Sequence, residues 1–143
     1  MVVADTSGLL AALDETHPDG VAARRVLQTA GTVVVSPVLL SELDHMARRV
    51  LGRGAAHQAI DDIARWSGAG RAVMPAVTPS VLDRAQALRK QYGDLRLDLA
   101  DAVNVVFAAQ FGTDVVLTLD HRDFGAIRPL TEHPAFRILP RDG

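Results

Sequence analysis

The chain has 143 residues, 48% of them hydrophobic and 22% charged, with a formal net charge of −2. That balance excludes a disordered or low-complexity chain and suits one ordinary domain, residues 1–143, with its own core. The absence of cysteine excludes a disulfide frame, a zinc knuckle and a thiol nucleophile. No apolar stretch is long enough to span a bilayer, and no basic segment followed by an apolar core opens the sequence. The expectation is a cytoplasmic protein with no membrane association.

Val2-Val3-Ala4 reads as a buried strand that ends at Asp5. Thr6 to Leu13 reads as a helix, and Pro18 to Ala30 as a second with Pro18 near its N1 position. A β-branched strand follows over Thr32–Val35, then Ser36-Pro37 caps a helix that runs to about Leu51. Ala55 to Trp66 is a further helix, and Arg71 to Val77 a short strand, with an end before Pro75 as the alternative. Thr78-Pro79 repeats the cap signal and opens a helix to Tyr92, with Gly93 as its stop. Leu97 to Phe111 is a strongly apolar helix ended by Gly112, followed by strands at Val115–Leu119 and Phe136–Leu139. Strands alternating with helices predict an α/β fold whose sheet is covered on both faces.

Five acids stand where such a fold gathers ligands, outside the carboxyl ends of strands and at helix starts. Asp5 follows the first strand and Asp120 the fourth, while Glu42 falls in the second turn of the helix capped by Ser36, and Asp98 and Asp101 in the first turns of theirs. Three have a simpler reading: Asp5 as a helix cap, Asp120 in an Asx turn over His121–Asp123, Asp98 as a dipole-favoured acid. Glu42 fits less well, because Val38, Leu39 and Met46 at i−4, i−3 and i+4 put it on a partly apolar face. Asp101 fits worst, because its helix is apolar nearly all round and its one polar stripe is Asp98, Asp101 and Asn104. Such a carboxylate needs a salt bridge to an arginine or a metal ion. Two carboxylates about 4 Å apart repel by roughly 4 kcal/mol at an effective dielectric near 20, so a crowded rim favours a bound cation. All-oxygen ligands favour Mg²⁺ or Mn²⁺. The five histidines show no ligand spacing.

The runs Val2–Ser7, Ser36-Pro37 with Ser41-Glu42-Leu43, Leu97–Ala102 and Leu117–Phe124 together resemble a PIN-domain nuclease, and in length and spacing the VapC toxins of type II toxin–antitoxin systems. The resemblance implies a PIN-like three-layer sandwich around a mostly parallel sheet of about five short strands. It implies a catalytic and metal-binding quartet of Asp5, Glu42, Asp101 and Asp120. Asp98 would be an accessory acid, with Thr6 and Thr118 as the hydroxyls beside the metal. It further implies endoribonuclease activity with Mg²⁺ or Mn²⁺, an RNA substrate, and a cognate antitoxin, in a homodimer or a toxin–antitoxin hetero-oligomer. The alternative is a non-catalytic PIN-like module that binds RNA or a partner, which loss of quartet acids would favour; none is lost.

Two rival readings fail on single residues. A haloacid-dehalogenase-type phosphatase needs a second aspartate where Ser7 stands, and a receiver domain needs a lysine after a late strand, whereas the lone lysine, Lys90, is mid-helix. Apart from the rim acids the chain is net positive through its arginines, which suits a phosphate-bearing substrate. Leu9, Leu10, Leu13, Ile60, Ile63 and Trp66 exceed what one helix face needs. The resemblance to toxins implies that an antitoxin helix fills a groove there, the alternative being ordinary core or a homodimer contact.

Overall fold

A computed structural model describes residues 1–143. Strand β1 (Val2–Ala4) leads into α1 (Thr6–Leu13) and α2 (Gly20–Thr29), and β2 (Val33–Val35) leads into α3 (Pro37–Leu51). Next come α4 (Arg53–Gly68), β3 (Ala72–Val73), α5 (Pro79–Gln91) and a 3₁₀ turn over Gly93–Leu95. The chain closes with α6 (Leu99–Gln110), β4 (Val115–Leu117), α7 (His121–Ala126) and β5 (Arg137–Leu139). The cap signals work as their chemistry requires: Ser36 Oγ accepts from the Val38 amide and Thr78 Oγ1 from the Val81 amide, each followed by proline. Gly52, at φ +96°, makes the turn from α3 into α4, a conformation that a side chain would strain. No helix is long and apolar enough to cross a membrane.

The sheet order is β3-β2-β1-β4-β5, and every pairing is parallel. Alternation along the strands sends Val3, Val34, Val116 and Ile138 to one face, where they pack with α5 and α6 residues such as Leu88, Val103 and Phe107. Val2, Ala4, Val33, Val35 and Leu117 face the other side, against Leu9, Leu27, Leu39 and Leu43 of the first three helices. Both faces being covered explains why the strands are apolar throughout, and gives the three layers expected.

Topology fixes where a ligand goes. From β1 the chain moves outward to β2 and β3, then returns to the opposite side of β1 for β4. The reversal opens a crevice beyond the carboxyl ends of β1 and β4, the position open parallel sheets use for ligands. The Asp5 amide donates to the Leu117 carbonyl at 2.9 Å, so the two strands leave the sheet side by side.

Several elements are shorter than the sequence pattern predicts. β4 stops at Leu117 because Thr118 N–H makes the last ladder bond, to the Leu139 carbonyl of β5, and the next amides turn to side chains: Leu119 N–H to Ser7 Oγ and Asp120 N–H to Thr118 Oγ1. β3 keeps only Ala72 and Val73 of the expected seven residues, at the sheet edge. α2 begins at Gly20 with Asp19 at its N-cap, placing Pro18 outside the helix. α6 begins at Leu99, with Asp98 as its cap. The segment expected to be an Asx loop after Asp120 forms α7 instead.

Candidate metal centre at the sheet edge

Asp5 occupies the N-cap position of α1 yet makes no side-chain capping bond. Its Oδ2 instead accepts from Thr118 Oγ1 at 2.8 Å and from Ser7 Oγ at 3.2 Å. These bonds fix a carboxylate that is 6% exposed. Burial raises its pKa, and the Thr118 hydroxyl, the Thr6 amide and the Ser7 hydroxyl hold it back.

Two capping pairs deliver the other aspartates. Asp98 Oδ1 accepts from the Asp101 amide at 2.8 Å, and Asp120 Oδ1 accepts from the Asp123 amide at 3.0 Å. The same N-cap-to-N3 bond therefore aims two helix starts, α6 and α7, at one spot. Carboxylate oxygens of Asp101, Asp120 and Asp123 all lie within 4.8 Å of one another. Asp101 is 8% exposed, and burial followed by the charges of Asp5, Asp98, Asp120 and Asp123 pushes its pKa up to about 8. The Asp123 carboxyl is raised too, by burial and then by Asp120.

Glu42 is exposed on α3 rather than on a partly apolar face as the sequence suggests. It still belongs to the rim, because after burial the charges of Asp98 and Asp5 raise its pKa. Salt bridges do not neutralise the rim. The ion pairs of the structure are Arg48–Asp44, Arg65–Asp62, His133–Asp114 and Arg141–Asp142, and none involves a rim acid. The alternative that Asp101 is paired with an arginine is thereby removed. Mutually repelling, all-oxygen donors within one ion's reach are the donor set a hard divalent cation requires.

A family pattern described as PIN domain matches residues 2–128. The chain is 33% identical over 130 residues to Ribonuclease VapC26 of Mycobacterium tuberculosis, an alignment covering 90% of this chain and 93% of the relative. It belongs to the PIN-domain family of VapC ribonucleases. Solved structures agree on the fold. The Mycobacterium tuberculosis toxin VapC20, described as cleaving the sarcin–ricin loop, superposes with a TM-score of 0.75 at 20% identity, covering 88% of this chain and 94% of that one. A chain of a toxin–antitoxin complex from Klebsiella pneumoniae gives a TM-score of 0.62 at 19% identity, covering 96% and 100%. At those identities the likeness concerns the fold alone.

In this PIN domain the two expected hydroxyls differ. Thr118 joins the site through Asp5, whereas the buried Thr6 Oγ1 has no hydrogen-bond partner. Asn104, one turn beyond Asp101 on the same polar stripe, is fully buried with both amide atoms unpartnered. Sequence reasoning assigned no role to Ser7 or Asp123. The repeated Asp-x-x-Asp spacing of 98/101 and 120/123 was the available signal for Asp123; Ser7 gave none beyond its place beside Asp5.

Of the apolar residues expected to form a partner surface, Leu9, Leu13, Ile63 and Trp66 do line an open groove of about 190 Å³, with Leu27 and Leu43. Leu10 and Ile60 lie outside it. Ile63 is 4% exposed and so is a core residue at the groove floor, which makes it a poor probe of binding.

Proposed function

We propose that this VapC-type PIN-domain ribonuclease cleaves RNA internally at the Asp5–Asp101–Asp120 rim, with Mg²⁺ or Mn²⁺ as cofactor. Asp101, Asp120 and Asp123, joined by Asp5, would hold the ion, which when bound neutralises the carboxylates and stabilises charge developing on the phosphate. Thr118 and Ser7 hold the Asp5 carboxylate in one orientation at the crevice. Glu42, solvent-facing and with its proton affinity raised by burial and then by Asp98 and Asp5, orients the attacking water and takes its proton as the oxygen bonds phosphorus, while the bond from phosphorus to the leaving ribose oxygen breaks and that oxygen takes a proton from solvent. Asp98 positions Asp101 by capping α6. Asp5, Glu42, Asp101 and Asp120 are thus the catalytic set, with Asp98, Asp123, Thr118 and Ser7 supporting it.

The observation that carries this reading is the convergence of Asp101, Asp120 and Asp123 oxygens within 4.8 Å without a salt-bridged cation. The experiment is cleavage of cellular RNA by purified protein with Mn²⁺ or Mg²⁺, compared with Asp101→Asn and with chelator.

The partner side of the proposal is a toxin held silent by a small antitoxin, a reading supported by the structural likeness to a toxin and to a chain of a toxin–antitoxin complex. The apolar groove between α1, α2, α3 and α4 suits an amphipathic helix of that partner, with Arg24 and Asp62 at its margins to fix register. Trp66 and Leu13, both half-buried, are the anchors such a helix would cover.

A further inference from the structure

A second pocket, also of about 190 Å³, lies beside the acids and is not needed to hold them. Its lining is Asp19 and Ala22 from the start of α2, Leu119 and His121, and Pro140 and Arg141 from the C-terminal tail. Leu119 and His121 flank Asp120, so one wall is the backbone segment that delivers a rim carboxylate.

The chemistry of that lining selects its occupant. Arg141 is held by Asp142, Nε to Oδ1 at 2.9 Å and Nη2 to Oδ2 at 3.4 Å, and Asp142 is itself anchored by accepting from the Ile138 amide at 2.8 Å. The guanidinium is thus fixed in orientation, and its charge is already matched. Asp19 sits at the N-cap of α2, but its carboxylate makes no capping bond and faces the pocket as a free acceptor. A phosphate would meet the Asp19 carboxylate with no spare positive charge from Arg141 to offset it. A flat base bearing N–H groups meets a guanidinium plane, an imidazole, the apolar walls of Ala22, Leu119 and Pro140, and an acceptor for its edge. Single-stranded bases are recognised in this way, by stacking on arginine planes and hydrogen bonding at their Watson–Crick edges.

We propose that the pocket walled by Asp19, His121 and Arg141 binds one unpaired nucleobase of the RNA, close to the bond that is cleaved. The inference rests on the ribonuclease reading above and adds a specificity subsite to it. Arg141 and Asp19 are exposed, outside both core clusters, so their replacement leaves the fold intact.

The test uses the full chain and an RNA oligonucleotide spanning a mapped cleavage site, with single abasic replacements stepped along the strand. The wild type should show one position where removing the base raises KM roughly tenfold, the scale of one stacked base. Arg141→Ala should raise KM by a similar factor on intact RNA, leave kcat unchanged, and abolish the penalty at that abasic position. Asp19→Ala should weaken the preference among bases there. Uniform tolerance of abasic sites, or an undiminished abasic penalty in Arg141→Ala, overturns the pocket. Restoration of KM by Arg141→Lys also overturns it, because a lysine supplies charge without a plane. Failure of the wild type to cut the intact oligonucleotide overturns the ribonuclease reading itself, and the subsite with it.

Discussion

Thr118 Oγ1 donates to Asp5 Oδ2 at 2.8 Å across 113 positions of sequence, and the same hydroxyl accepts from the Asp120 amide at 2.9 Å. One side chain thereby sets the orientation of one rim acid and the path of the backbone to another. Because those bonds take the place of sheet pairing, the end of β4 is shaped by the site.

Thr118→Val keeps the shape of the side chain but leaves Asp5 and the Asp120 amide without their shared partner. Activity should fall roughly 10- to 100-fold, the usual cost of losing a group that orients a metal ligand. Ser7→Ala should act in the same direction, since it removes a bond to Asp5 and the acceptor of the Leu119 amide. Steady-state cleavage at several metal concentrations checks both, with the loss concentrated at low metal.

Stability in chelator should depend on pH in a defined direction. Burial and the neighbouring carboxylates push the folded Asp101 pKa up to about 8 from the ordinary 3.8, so between those values the folded state binds the extra proton. Unfolding free energy therefore falls as pH rises through that window and levels off above it. Asp101→Asn should flatten the slope and raise the melting temperature at pH 8, while abolishing cleavage. Millimolar Mn²⁺ should raise the melting temperature of the wild type at pH 8 by binding the folded state. Melting curves from pH 5 to 9, with and without metal, measure each effect.

Gly8 tests how tightly α1 lies on the sheet. A Cβ there would stand 2.5 Å from the Leu117 carbonyl oxygen, a backbone atom that cannot swing aside. Gly8→Ala should destabilise the protein by about 1–3 kcal/mol, as overpacking does, and disturb the adjacent site. Chemical denaturation gives the number.

Much of this arrangement was legible in the sequence, for identifiable reasons. The apolar runs had to be strands buried on both faces, and Ser-Pro and Thr-Pro had to start helices, because each rests on local chemistry that packing then used. Asp101 stood out because an acid on an all-apolar helix has few stable environments. Less was legible where side chains replaced backbone partners. The early end of β4 depends on Ser7 and Thr118, and α7 is too short to show a period, so Asp123 was hidden in what read as a loop. Glu42 was misjudged from its sequence neighbours, since α3 turns that position outward to solvent at the rim.

The groove yields a prediction about the partner. Trp66→Ala and Leu13→Arg should each weaken binding of the antitoxin proposed above, the tryptophan by about 2 kcal/mol or more if it is an anchor. RNA cleavage by the free enzyme should be unaffected, because neither residue touches the acids. Titration followed by Trp66 fluorescence and by calorimetry reads the affinity.

The most direct test of the central claim is end-mapped cleavage of total RNA by the purified protein in Mn²⁺, run beside Asp101→Asn and beside the wild type in chelator. Discrete internal cuts by the wild type alone, absent in both controls, are the predicted result. Equal cutting by Asp101→Asn, or cutting that persists in chelator, would contradict the account.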